Sequence, residues 1–322
     1  MDCRRATQYR MDSVFQPSHS QAQGAPSLAE FEACIAALWV FPVKSCAGIS
    51  VLQAVLTPTG LAHDRAWMVV DAEGEMLTQR DLPRMALIQP ELKHADLSLH
   101  ASGMSALSLQ AAATQVDPVM VRVWDDVVPA FDMGPAASAW LTEFLGSQLG
   151  TLRLVRFDER HHRSSNTKWT QGVQAINQFS DGFPVLVAST ASLDALNARL
   201  HAKGEKTVDM RRFRANLVLG NAAHGAQEAV AAHDEDRIGT LTITTDGEAV
   251  QLQPVKPCPR CPIPNIDPDT AQAYPAVSDT LQTYRQDARV NGALTFGMNC
   301  IPLAGVGQVL RVGQRISADW AF

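Results

Sequence analysis

The sequence predicts a mainly β protein of the α+β class, built in two parts with a few flanking helices. Three observations carry this. Short alternating or apolar runs recur along the 322-residue chain with turn residues between them. Few stretches show helical spacing. A polar segment, residues 158–170, separates two strand-rich halves and reads as an exposed loop, a lid or a domain junction.

The elements follow in order. Residues 34–41 form an apolar run that Pro42 stops. Residues 51–57 alternate, and Pro58-Thr59-Gly60 turns the chain. Residues 66–71 and 76–80 read as the arms of a hairpin around Ala72-Glu73-Gly74-Glu75, with Gly74 able to take positive φ. Two more hairpins join 97–99 to 107–109 across Ser102-Gly103, and 120–124 to 127–131 across Asp125-Asp126. Hairpins this regular predict an antiparallel sheet that closes on itself.

Residues 135–149 give the first helix, because Ala137, Trp140, Leu141, Phe144 and Leu145 share one stripe; Pro135 opens it and Gly150 follows it. Residues 152–157 return as a strand. The second half opens with a strand over 183–188 that runs into Ser189-Thr190 and a helix over 191–200. Ser and Thr are good N-caps, and Asp194 lies in the early turns, where the macrodipole favours it. Strands over 216–219 and 241–245 follow. Asp246-Gly247 then turns the chain into 249–254, which delivers Pro257-Cys258-Pro259-Arg260-Cys261-Pro262.

Bulk properties exclude some partners. The formal charge of −6 gives no reason to expect nucleic acid or an anionic membrane, so any bound anion must be held by a local basic cluster. Six cysteines, at 3, 34, 46, 258, 261 and 300, are too dispersed for a disulfide scaffold, which predicts a reducing, cytoplasmic setting. No apolar run is long enough to span a membrane, and no secretory signal is evident. Residues 1–32, rich in Gln, Ser, Pro and Ala, read as a disordered tail.

The chemistry centres on Cys258 and Cys261. No second pair is present to complete a zinc site. Prolines 257, 259, 262 and 264 disfavour the helix that a thioredoxin-like pair needs. One cysteine acting as a lone soft ligand suits a metal whose other ligands come from a cofactor, while two buried thiols in a rigid loop is the competing reading. Arg214 and Asn216 flank a strand edge and could recognise a phosphate or heterocycle, or simply form a rim salt bridge. Ser189-Thr190, at a helix N-terminus, suits an anion or mere capping. Lys44-Ser45 and His63-Asp64-Arg65 are similar loop-borne polar groups.

Taken in order, Phe-Pro-Val-Lys-Ser-Cys (41–46), His-Asp-Arg-Ala-Trp (63–67), Phe-Ser-Asp (179–181), Ser-Thr-Ala-Ser-Leu (189–193), Phe-Arg-Ala-Asn (213–216), Cys-Pro-Arg-Cys (258–261) and Asn-Ile-Asp-Pro-Asp-Thr (265–270) closely resemble MOSC-domain proteins of the amidoxime-reducing component type. The resemblance runs from about residue 35 to about 312. It implies an N-terminal β-barrel domain over 33–155 and a MOSC β-barrel domain over 156–322. It also implies a molybdenum cofactor ligated by Cys261. Lys44, Ser45 and Arg65 would hold that cofactor from one side; Ser189, Thr190, Arg214 and Asn216 would hold it from the other. Asp181 and Asp267 match motif positions too: the first falls among the cofactor neighbours and the second beside Cys261 as a catalytic candidate, though Asp267-Pro268 also reads as a turn. The implied reaction is reduction of N-hydroxylated small molecules. With Cys300 the only cysteine after Cys261, no iron–sulfur cluster is expected, so electrons would come from a separate flavin or heme protein. No pyridoxal-phosphate lysine motif or desulfurase module accompanies these motifs. A non-catalytic cofactor carrier, or a protein that handles the cofactor's sulfur, shares the same anchoring residues.

Overall fold

The computed structural model describes residues 31–94, 96–110, 117–222 and 229–321. The expected tail over 1–32 lies outside them except for Phe31 and Glu32, which begin the first strand.

The elements that position the site are β1 (Phe31–Val40), β2 (Trp67–Val70), β3 (Val119–Val123), β4 (Asp126–Asp132), α1 (Pro135–Leu145), β5 (Arg153–Phe157), β6 (Val185–Ser189), α2 (Thr190–Ala202), β7 (Leu217–Gly220), β8 (Ile238–Ile243), β9 (Val250–Pro259), β10 (Ala293–Ala304) and β11 (Arg315–Trp320). Strands dominate, with few helices: the fold is a closed seven-stranded barrel beside a half-barrel. The barrel runs β6-β7-β1-β11-β8-β9-β10 and closes where β10 pairs back onto β6, Val187 opposite Met298. β6 and β7 run parallel and the other barrel pairs antiparallel. Inward residues Ile35, Leu38, Leu217, Leu219, Leu241, Leu252 and Ile316 are buried and fill its core. The chain's first strand therefore sits between β7 and β11, among strands from the second half of the chain.

The half-barrel is the antiparallel sheet β2-β5-β4-β3. All four residues of β2 are buried because it has covered faces on both sides. Trp67 and Val69 pack with Ala137, Trp140 and Leu141 of α1; Met68 and Val70 pack with Val121, Val155 and Phe179. That accounts for a continuous apolar run where alternation would mark a half-exposed strand.

Three local expectations change. Residues 76–80 make no second hairpin arm: Met76 bridges Val70, but Asp81 then accepts bonds from the Thr78 amide and hydroxyl and curls the chain away. Helix α1 stops at Leu145, where Gly146 takes φ 95°, short of the expected end. Residues 158–170 are not simply an exposed loop. They hold a short strand, Arg163–Ser164, paired with Ile176–Asn177, and a helical turn, Thr167–Thr170, and Arg163 is buried. β9 in turn extends through Pro254 and Pro257 to Pro259, its register shifting against β10 on the way. Such irregularities are how a strand tolerates residues without an N–H.

Candidate functional site

A cavity of about 630 Å³ opens where the barrel meets the half-barrel. Its walls come from the loop after β1, the β3–β4 turn, the segment before β6, the loop before β7, and the end of β9. Lys44, Ser45, Arg65, Asp181, Arg214, Asn216 and Cys261 all line it, bringing seven of the ten predicted site residues together from distant parts of the sequence.

Phe41, at the end of β1, is the hinge of the basic cluster. Two guanidinium groups lie against its ring, Arg65 at 4.5 Å and Arg214 at 4.3 Å. Arg65 pairs with the buried Asp64 and donates from Nη2 to the Arg214 carbonyl at 3.0 Å. Asp64 also accepts from the Phe41 amide at 2.8 Å. Arg214 donates from Nη1 to the Cys46 carbonyl, while its buried Nη2 has no partner. Burial, then repulsion from Arg65, push the Arg214 guanidinium down to about 9. Asp64 and Asp181 act at a distance in the opposite sense, but among the described residues no carboxylate pairs with it directly. Ser45, Arg65 and Arg214 take φ of 65°, 50° and 58°. For side-chain-bearing residues this conformation costs on the order of 1 kcal/mol or more each, and such strain concentrates at ligand sites.

Lys44 is buried and donates to the Phe179 carbonyl at 2.9 Å and to the Asp181 carboxylate. Burial pulls its ammonium down despite Asp181, with Arg163 and Arg65 acting in the same direction. Around Asp181 the surrounding protein works to raise the carboxyl. Lys44, Arg65 and a Trp124 Nε1 bond of 3.2 Å outweigh it and hold the group well below the usual carboxylate range. The two groups form an ion pair at the mouth of the cavity.

Cys261 lies on the wall with a free, half-buried thiol. Cys258 lines the same cavity and is also a free, half-buried thiol, but Arg260 donates to its sulfur at 3.1 Å and the residue packs against the Phe213–Phe296 cluster. Asn216 lines the wall, but its amide braces backbone, accepting from the Leu186 amide at 3.0 Å and donating to the Trp39 carbonyl at 3.2 Å.

Three predicted residues lie elsewhere. Ser189 is fully buried at the N-cap of α2, and its hydroxyl donates to Glu235 at 2.9 Å. Ser192 donates to the other oxygen of the same carboxylate at 2.6 Å. At this helix end the two serine hydroxyls are engaged by the protein's own Glu235, and neither Ser189 nor Thr190 lines the cavity. Asp267 is likewise outside. It accepts from the amides of Asp269 and Thr270 at 2.9 and 3.0 Å and pairs with Arg212 at 2.8 Å, which is the turn reading of Asp267-Pro268.

With this geometry in place, family comparison is decisive. Residues 32–148 match the MOSC N-terminal beta barrel domain and residues 174–317 match the MOSC domain. The chain belongs to the MOSC-domain family. It is 34% identical over 265 residues to mitochondrial amidoxime-reducing component 1 of Mus musculus, covering 78% of this chain and 71% of that one. It is also 34% identical over 263 residues to the Homo sapiens protein of the same name, covering 78% and 72%. A match to molybdenum cofactor sulfurase of Danio rerio, 32% identical over 282 residues, covers 81% of this chain and 31% of the relative.

Several cavity residues of this MOSC protein escaped the sequence reading. Arg163 is buried beneath Asp181, and Lys256, Arg260, Arg80 and Trp124 also face the cavity. Arg80 lies over the Trp124 ring at 4.6 Å. Neither spacing nor periodicity marks them, because each faces the cavity only through tertiary folding. Seven Lys and Arg side chains stand on this wall against three Asp, so the local basic cluster that the net charge demanded is present. Among the described residues no group of three or more His, Cys, Asp or Glu could hold a metal unaided, and no helix is long and apolar enough to cross a membrane.

Proposed function

We propose that this MOSC protein binds a molybdenum cofactor and reduces N-hydroxylated small molecules, with electrons from a separate flavin or heme donor protein. One observation supports this most: a free cysteine thiol on the wall of a cationic cavity, with a buried arginine N–H that lacks an acceptor. A lone thiolate suits a metal whose remaining ligands come from a cofactor, and the unpaired Arg214 Nη2 suits that cofactor's phosphate.

In this reading Cys261 is the protein's ligand to the metal. Arg214, Arg65 and Ser45 hold the phosphate end from the strained loops, and Lys44 is kept aimed at the cavity by Asp181. The cofactor supplies the oxygen-transfer chemistry that no side chain here can perform. Overall, an N–O bond is cleaved reductively, and an electron pair from the donor with protons from solvent leave an N–H product and water. The names of the amidoxime-reducing relatives support this substrate class.

The test is molybdenum and pterin content of protein made in a host that synthesises the cofactor, followed by reduction of benzamidoxime with a reduced viologen dye. Near-stoichiometric molybdenum is expected, with turnover that Cys261→Ser abolishes while the fold persists. Zinc or no metal, with no pterin fluorescence after oxidation, would overturn the reading. The match to molybdenum cofactor sulfurase favours a second reading, a cofactor carrier or sulfur-handling protein. It predicts a loaded protein that reduces no N-hydroxylated compound.

A further inference from the structure

Among the described residues, Lys256 of this cavity has neither an ion-pair partner nor a hydrogen-bond acceptor. Lys44 has Asp181, Arg65 has Asp64 and Arg163 has Asp126. The Lys256 ammonium has no hydrogen-bond or ion-pair partner among the described residues; its neighbours are the rings of Trp169 at 5.3 Å and Phe183 at 5.9 Å. Directly across the strand pair stands Asn299 of β10, also on the cavity wall, and its side-chain amide is likewise without a partner there. Asn216 shows the contrast, since both ends of its amide are engaged by backbone.

These groups stand on the paired strands β9 and β10, whereas the Phe41 cluster is built from the loops that carry Arg65 and Arg214. An ammonium on an aromatic platform is already held and partly shed of water, so a ligand oxyanion need not first break an internal ion pair. An amide beside it offers a second donor, and Phe183 on the same wall places apolar surface next to the ammonium. We infer that Lys256 and Asn299 form a subsite for the carboxylate of an aromatic N-hydroxylated substrate, so that anionic substrates are selected over neutral ones. This rests on the reductase reading of the cavity and names its substrate class.

The probes are 4-carboxybenzamidoxime and neutral benzamidoxime on the cofactor-loaded protein, with a reduced viologen donor. A carboxylate preference in kcat/KM of about tenfold or more is expected, as one charge-assisted hydrogen bond provides. Lys256→Met should bring that ratio close to one, and Lys256→Arg should restore much of it. Calorimetric titration with the product 4-carboxybenzamidine and with benzamidine should show the same change in the ratio of Kd values. Equal handling of both compounds by the wild type, or ratios untouched by Lys256→Met, would overturn the inference. Should titration show the Lys256-dependent preference while neither amidoxime is reduced, the subsite stands and the reductase reading fails. If both are reduced with unaltered Kd ratios, the reductase reading stands and the subsite fails.

Discussion

Arg163 binds the segment beneath the cavity mouth with nearly every donor it has. Nη1 donates to Asn177 Oδ1 at 2.6 Å and to the Gln178 and Ser180 carbonyls at 3.0 and 2.6 Å, while Nε meets Asp126 at 2.6 Å. These bonds fix the stretch that presents Asp181 to Lys44. Replacing Arg163 with Met keeps much of the stem's volume but leaves the buried Asn177, Gln178 and Ser180 acceptors unpaired, at roughly 1–3 kcal/mol for a buried polar group left unsatisfied. Urea unfolding should show a loss of that size for Arg163→Met, and a midpoint shift worth less than about 1 kcal/mol would show that the network is not structural. At this scale the motif cysteines were legible and the staple was not. Cys-Pro-Arg-Cys names two candidate ligands, both free and on the cavity wall, and one contact distinguishes them: Cys258 accepts the Arg260 N–H. Arg163 sits in a polar stretch whose composition reads as exposed, and only its pairing with four distant groups explains its burial.

At the scale of elements, α2 shows where local rules succeed and where they stop. Its start was readable because an N-cap is a matter of neighbours: the Ser189 hydroxyl accepts from the Ser192 amide at 3.1 Å. The occupant of that helix end was not readable, because Glu235 lies 46 residues further along. Burial raises the Glu235 carboxyl, and the two serine hydroxyls together with its own backbone amide pull it back. Ser189→Ala removes a cap worth about 1 kcal/mol and a donor to a buried carboxyl worth about as much again. A loss of about 2 kcal/mol in urea unfolding is therefore expected, with molybdenum content per folded protein unchanged. Molybdenum lost at wild-type stability would return Ser189 to the cofactor site. The hairpins were equally legible, since alternation and turn residues are local properties. The arm over 76–80 failed because Asp81 offered Thr78 a competing local bond.

For the whole molecule, sequence order and spatial order part company at β1. Hydrophobic pattern announced a strand there but could not say whose neighbour it would be. Its register is Leu38 opposite Leu217 on one side and Ala33 opposite Ile316 on the other, so it joins strands from the far end of the chain. It also gives the barrel core Phe31, Ala33, Ile35 and Leu38, all at or below 4% exposure. Without β1, both β7 and β11 would present an unpaired edge and the ring would open, a liability that closed barrels exist to avoid. Phe41, on which Arg65 and Arg214 converge, follows directly on this strand, so the barrel's closing strand also places the basic cluster. A fragment of residues 158–322 should therefore fail to fold alone, showing dye-accessible apolar surface and no cooperative thermal transition. The same fragment supplied with residues 31–48 through a flexible linker should regain a cooperative transition, because the missing strand and the Phe41 hinge return together. A cooperative transition from 158–322 by itself would mean that the barrel closes without β1 and that the two halves are independent folding units.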